Sequence, residues 1–270
     1  MTDLTLGHAR IEDAAPIVGL VRQGFRPDFL SMTTMGCAGA VEYCRQIIKL
    51  QVEESDSLYF VARTPEGVVG CIETRLLPDT IFVNYVCVAP EARGLGIGSR
   101  LLHHAVSTVR TGQHQQIRLD VLEENAGARR WYDSLGFEVE SATDWHTMLL
   151  TDNGGVDGYI SGLSQSAVLH DAFGFSQVFI LTSVGKYSVG LLGDQWLRIT
   201  DVALLMDRDA VSLLSRMYPD RMALVLAPEG VLPGKLATNA TLRARTLRMQ
   251  ASLSDFGAAR VDGIEEFSRE

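Results

Sequence analysis

The chain has 270 residues, 46% of them hydrophobic and 21% charged, which is enough apolar material for one large core or two modest ones. A formal net charge of −9 argues against a nucleic-acid partner, whose phosphates such a surface would repel. Cys37, Cys44, Cys71 and Cys87 form no Cys-x-x-Cys pair, and the N-terminus lacks the basic flank and apolar run of a secretory signal, so we expect reduced thiols, no membrane partner and a cytoplasmic protein.

Leu4 to Ile11 alternates as an opening strand, and Glu12 and Asp13 stand at the positive end of a first helix. The irregular stretch Arg26 to Ala38 separates it from a second helix, expected from about Gly39 to Glu54 with Val41, Cys44, Ile47, Ile48 and Val52 on one side. Ser57 to Arg63 and Val68 to Leu77 read as strands around the turn at Thr64 to Gly67. Pro78 to Thr80 then turns the chain into a third, central strand, Ile81 to Val88, which completes an antiparallel meander.

Pro90 ends the central strand because proline cannot continue a ladder. Arg93-Gly94-Leu95-Gly96-Ile97-Gly98 then strips side chains from alternate positions, and Leu101, Leu102, Ala105, Val106 and Val109 recur at helical spacing behind them. The backbone N–H groups of such a loop, as far as Ser99, can converge on one anion at the mouth of the helix, as in a diphosphate cradle. The dinucleotide fingerprint would need glycine where Ser99 stands, and the P-loop would need Gly-Lys-Ser/Thr at the loop end, so neither applies. A strand-to-helix turn that binds nothing has the same glycine pattern.

Gly112 stops this helix, and Ile117 to Leu122 forms the next strand, parallel to the central one because a helix connects them. Asn125 is placed to cap a short helix that Gly136 ends in a left-handed conformation, delivering Phe137 into a strand. Trp145 to Leu150 reads as the last strand of a first module, which closes near Thr151, and Asp152 to Gly155 reads as a linker. In the remainder, strands are expected at Gln177–Thr182, Lys186–Leu192, Trp196–Met206, Met222–Ala227 and about Thr241–Leu253, with a helix at Asp207–Tyr218. Arg243, Arg245 and Arg248 alternate roughly as on one side of a strand and read as a solvated face. The six histidines show no paired spacing of a zinc helix, so no metal site is expected.

Two motifs carry a family resemblance. Val88, Pro90, Arg93, Gly94, Gly96 and Gly98 follow Val-x-Pro-x-x-Arg-Gly-x-Gly-x-Gly, and Asn125, Ala128, Tyr132, Gly136 and Phe137 follow Asn-x-x-Ala-x-x-x-Tyr-x-x-x-Gly-Phe. Both resemble signatures of the GCN5-related N-acetyltransferase (GNAT) family, in the family's order, within residues 1–151. The resemblance implies an α/β fold with a mixed sheet and acetyl-coenzyme A (acetyl-CoA) as co-substrate. It implies that the pantetheine arm runs along Val86, Cys87 and Val88, that Arg93, Gly94, Leu95, Gly96, Ile97, Gly98 and Ser99 hold the diphosphate, and that Asn125, in one motif with Ala128, contacts the cofactor. Tyr132 would sit beside the sulfur, where a phenol can donate a proton to the departing thiolate.

The base is less legible. Glu73 lies on the strand beside the central one. Asn84 lies on the central strand, where many relatives carry an acid, and could hold a water that takes the proton. Asp120 and Glu123 are further candidates. Cys87 as an acyl-accepting nucleophile lacks a histidine placed to activate it. The strand, strand, strand, helix, strand, strand order of residues 152–270 copies the first module without its glycine loop, as in a degenerate GNAT-like module. An unrelated α+β domain fits the same pattern, as does a dimerisation arm that would make the protein a homodimer. Asp207-Arg208-Asp209 would repel a diphosphate there. The expected function is acetyl transfer to an amine of a small molecule or protein. A non-catalytic CoA-binding sensor or scaffold is the alternative, and a thioester-using lyase or hydrolase fits the motifs as well.

Overall fold

The computed structural model describes residues 3–50, 54–152, 154 and 157–256. In chain order the elements are β1 (Thr5–His8), α1 (Ala14–Gly24), α2 (Pro27–Leu30), α3 (Ala40–Lys49), β2 (Ser57–Thr64), β3 (Gly67–Leu76), β4 (Thr80–Val88), α4 (Ile97–Val109), β5 (Gln116–Leu122), α5 (Ala126–Ser134) and β6 (Glu138–Met148). They continue with β7 (Gly158–Ser161), α6 (Leu163–Phe173), β8 (Phe175–Thr182), β9 (Lys186–Leu192), β10 (Trp196–Ile199), α7 (Arg208–Met217), β11 (Met222–Pro228), α8 (Gly234–Ala237), β12 (Thr241–Ser252) and α9 (Leu253–Phe256). Two compact units result. Unit 1 is Met1–Gly24, Arg45–Ser141 and Thr246–Glu270, and unit 2 is Phe25–Cys44 and Ala142–Arg245.

In unit 1 the strands lie in the order β1-β2-β3-β4-β5-β12. Every neighbouring pair is antiparallel except β4 and β5, the two strands that α4 connects. Phe60, Ile72, Ile81, Leu101, Leu102 and Ile117 are fully buried, so the apolar stripe of α4 packs on the sheet as its spacing requires. Gly70 permits the close approach, because a Cβ there would lie 2.9 Å from Leu101 Cδ1. At the end of the described chain, Arg110 Nη1 donates to the Leu253 carbonyl at 3.0 Å, and Phe256 stacks on His103 of α4.

Unit 2 repeats this connectivity. Its order is β7-β8-β9-β10-β11-β6, with β10 and β11 the one parallel pair and α7 the crossover between them. Val178, Ile180, Val189, Leu197, Ile199 and Val225 of the sheet pack with Leu204, Val211 and Leu214.

The units divide differently from the expected break between residues 151 and 152. Thr143–Met148 of β6 pair with β11, and Thr246–Ser252 of β12 take the edge of β5. The last strand of each module in the sequence thus completes the other unit's sheet. Side-chain alternation fixes which face a strand buries and leaves open which edge it joins.

Other expectations shift more locally. The strand expected at Trp196–Met206 stops at Ile199, because Asp201 Oδ1 accepts from Ala203 N at 3.0 Å and starts a 3-10 turn at Val202–Met206. The second helix ends at Lys49, and Val52 lies outside the described residues, as do residues 153 and 155 of the expected linker. Two of the three arginines of β12 are paired rather than merely solvated, Arg245 with Asp144 and Glu229 and Arg248 with Asp120, while Arg243 is exposed. All four cysteines are buried and in the thiol form. No helix among the described residues is long and apolar enough to cross a membrane.

Candidate active site

The central strand parts from its neighbour where the site residues begin. β4 and β5 pair only over Thr80–Val83 and Gln116–Leu119, while β5 stays on β12 as far as Leu122. On the other side of β4 the register steps. Glu73 stands opposite Tyr85 and Thr74 opposite Val83, which leaves Asn84 as the extra residue of a β-bulge. A bulge bends the strand that carries it, and here the bend coincides with the separation from β5. Val86, Cys87 and Val88 follow, laddered to Ile72, Cys71 and Gly70 on the β3 side only.

Beyond Val88 a 3-10 turn, Pro90–Ala92, leads into the glycine loop. Gly94 and Gly96 have φ of 77° and 72°, and an added Cβ at either would meet nothing within 4 Å. These glycines are therefore required by backbone conformation and not by space. Gly96 is the N-cap of α4, so no side chain caps the helix, and the first turn contains no acid. Uncapped amides at the positive end of a helix dipole are of the kind that can accept an anion. Leu95 is exposed and Ile97 buried, so the loop alternates between solvent and sheet. Arg93 uses its side chain locally: Nε donates to the Val88 carbonyl at 3.1 Å and pins the loop to the strand end.

The second motif folds beside the first. Asn125 Oδ1 accepts from Ala128 N at 3.1 Å as the N-cap of α5, and Gly136 ends the helix with φ of 84°. Tyr132 is buried, with Trp131 and Phe137 against its ring. Burial, with Cys87 nearby, pushes its phenol well above the ordinary value, so the hydroxyl keeps its proton through the neutral range. Trp131 Nε1 reaches Ser99 Oγ at 3.1 Å, a link between α5 and the first turn of α4 that the sequence pattern did not indicate.

Glu73 is 2% exposed, and its carboxylate accepts from Ser57 Oγ at 2.9 Å, Arg75 Nε at 3.1 Å and Asn84 Nδ2 at 2.8 Å. Sequence reasoning missed Ser57 and Arg75. Arg75 could have been found from its two-residue offset on one strand face, but Ser57 needs the strand register. Asp120 is held by Arg248 through two hydrogen bonds of 2.7 and 2.8 Å. Glu123 is exposed after β5, and its backbone carbonyl accepts from Arg129.

Residues 55–139 match the family model for the acetyltransferase (GNAT) domain. That span is similar to the GNAT acetyltransferase domain. A 5-NmdU N-acetyltransferase of Pseudomonas phage PaMx11 is 38% identical over 69 residues, 26% of this chain and 47% of that protein, so the chain spans about half the length of this curated relative. A tandem GNAT protein from the clavulanic acid biosynthesis pathway has TM-score 0.62 over 93% of this chain and 98% of its own, at 14% identity. A GCN5-related N-acetyltransferase from Sphaerobacter thermophilus gives TM-score 0.58 over 92% and 95% of the two chains, also at 14% identity. The fold is that of a tandem GNAT protein.

The second GNAT-like unit differs at the position equivalent to the glycine loop. The N-terminus of α7 is closed by the buried Asp207, whose Oδ1 accepts from Asp209 N and Ala210 N and whose Oδ2 accepts from Thr182 Oγ1 at 2.6 Å. The amides that α4 leaves uncapped are satisfied here by an internal carboxylate.

Proposed function

We propose that the protein transfers an acetyl group from acetyl-CoA to an amine nitrogen of a small molecule or protein. The observation that carries this reading is a coincidence in unit 1: an α4 N-terminus with neither side-chain cap nor acid, the left-handed Gly94 and Gly96 before it, and a β4 edge that leaves β5 at Asn84. These features fit a diphosphate and an extended, amide-bearing arm. Backbone groups from Arg93 to Ser99 would hold the diphosphate, and Val86, Cys87 and Val88 would pair with the arm, with Asn125 and Ala128 supplied by α5.

When bound, acetyl-CoA supplies the acetyl group as a thioester. Backbone N–H groups of the Val86–Val88 edge polarise the thioester carbonyl. The lone pair of the amine forms the new C–N bond, the C–S bond breaks, and Tyr132 gives its proton to the departing sulfur, regaining one from solvent. The surplus proton of the amine leaves to a base, and two groups can take it: the Glu73 carboxylate or a water held on Asn84 Oδ1. Support for the donor comes from the GNAT family, which uses acetyl-CoA. The phage relative's name supports N-acetylation as the reaction type and leaves this chain's acceptor open. For unit 2 the sealed N-terminus of α7 favours a non-catalytic task.

The test is calorimetric titration of the full chain with acetyl-CoA and with CoA, followed by a panel of amines assayed for thiol release. About one site per chain and amine-dependent turnover are expected, with Arg93→Glu weakening both ligands. Absence of binding by either ligand overturns the reading, and binding without turnover on any amine leaves a CoA-binding scaffold in its place.

A further inference from the structure

This inference rests on the acetyltransferase reading and concerns the group that receives the amine. Glu73 already accepts from Ser57, Arg75 and Asn84, and a carboxylate offers about four acceptor positions. A base for an arriving amine needs a reachable lone pair, whereas Glu73 is 2% exposed and nearly saturated.

Asn84 stands in the opposite situation. It is the extra residue of the bulge, half-buried, at the point where β4 leaves β5. Because an ionised carboxylate only accepts hydrogen bonds, the contact with Glu73 fixes which way the amide points: nitrogen toward Glu73, oxygen away from it. Among the described residues Oδ1 takes no donor, yet it is not sealed from solvent. The charges around the pair are themselves matched. Arg75, with Tyr59 and Tyr85 near it, offsets Glu73, and on β5 Asp120 is held by Arg248.

We propose that Asn84 Oδ1 accepts the N–H of the acceptor amine, and that Glu73 is the positioning residue that orients it, itself fixed by Ser57 and Arg75. Held by its N–H, the amine keeps its lone pair free for attack, and its surplus proton passes to water rather than to Glu73. A neutral acceptor atom provides no ion pair for an ammonium group. The site therefore favours weakly basic amines that are uncharged near neutral pH, of the arylamine class, over alkylamines, whose nitrogen is protonated there.

Two measurements test this, one independent of turnover. In NMR of the full chain, a side-chain amide proton of Asn84 is expected downfield and slow to exchange, and Glu73→Gln is expected to remove both properties. An unshifted, fast-exchanging amide in the wild type overturns the anchoring whatever the activity. In kinetics, Asn84→Ala and Glu73→Gln should each lower kcat/KM for the amine about ten- to a hundredfold with acetyl-CoA affinity unchanged. The double variant should be no worse than Asn84→Ala alone. Ser57→Ala, a milder change, should lower kcat/KM about two- to fivefold. The acidic limb of the pH profile should follow the amine's own pKa and survive in Glu73→Gln. Loss of that limb in Glu73→Gln, with Asn84→Ala active, makes Glu73 the base and overturns the proposal. Binding of acetyl-CoA with no turnover on any amine removes the acetyltransferase reading instead, and Asn84's part in it, while the NMR result still decides the anchoring.

Discussion

Trp131 Nε1 donates to Ser99 Oγ at 3.1 Å, joining α5 to the first turn of α4. The same indole lies beside Gly98, where a Cβ would stand 3.5 Å from Cζ2. The two sequence motifs therefore meet through a pair that only the fold brings together. Trp131→Phe keeps most of the bulk and loses the hydrogen bond. It is expected to cost about 1 kcal/mol in urea unfolding and to weaken acetyl-CoA severalfold by calorimetry. Unchanged affinity would show that the two helices keep their places without this bond.

Tyr132 ties stability to alkaline pH. Burial, with Cys87 beside it, raises its pKa in the folded state above the ordinary phenol value of about 10. Its contribution is therefore complete below about pH 10 and is lost as pH rises through the folded value. Tyr132→Phe should flatten the alkaline loss of stability in urea melts. The same variant should lower kcat more than it raises KM, and an unaffected kcat would leave the tyrosine a packing residue.

Asp207 acts at the opposite end of the pH scale. Burial opposes its ionisation, but hydrogen bonds from Thr182, Ala210 N, Tyr187 and Asp209 N prevail and hold its carboxyl below the ordinary value. That contribution is present above the unfolded value of about 3.9 and is lost as pH falls through the folded one. Asp207→Ala should destabilise unit 2 by about 2 kcal/mol, through loss of the cap and the stranding of buried donors. It should also lessen acid sensitivity below about pH 4. Acetyl-CoA stoichiometry should stay at about one per chain, and a second site appearing in this variant would show that the carboxylate alone had blocked α7.

A chain cut after Thr151 loses β12 and leaves Gln116–Leu122 of β5 without their antiparallel partner. It also keeps a β6 whose Thr143–Met148 have lost β11. Exposed, unpaired edges of this kind associate. The truncated chain is expected to aggregate or to melt without cooperativity in calorimetry. A monomeric truncated chain with wild-type acetyl-CoA affinity would show that unit 1 closes its sheet without β12.

Much of the first half was legible because its signals are local. Gly94 and Gly96 were readable as a loop stripped of side chains, although the structure shows the need to be a positive φ rather than space. Asn125 and Gly136 were readable as helix ends, and one caps while the other is left-handed. Strand β7 and helix α6 went unread; every residue of α6 but Ser166 is at least partly exposed, so it carries little of the apolar stripe by which helices are read.

What the sequence by itself determined is therefore chemistry carried by neighbours along the chain: the glycine loop, the tyrosine helix, the meander and the crossover helix. Only the tertiary structure decided which edges β6 and β12 join, that Ser57 and Arg75 converge on Glu73, and that the bulge turns Asn84 against it. The reason is physical. A turn or a cap is set by the dihedral angles and donors of a few adjacent residues. Strand partnership and register are set by backbone hydrogen bonds between segments far apart in sequence, and many pairings of these bonds have nearly equal energy until the packed cores select one.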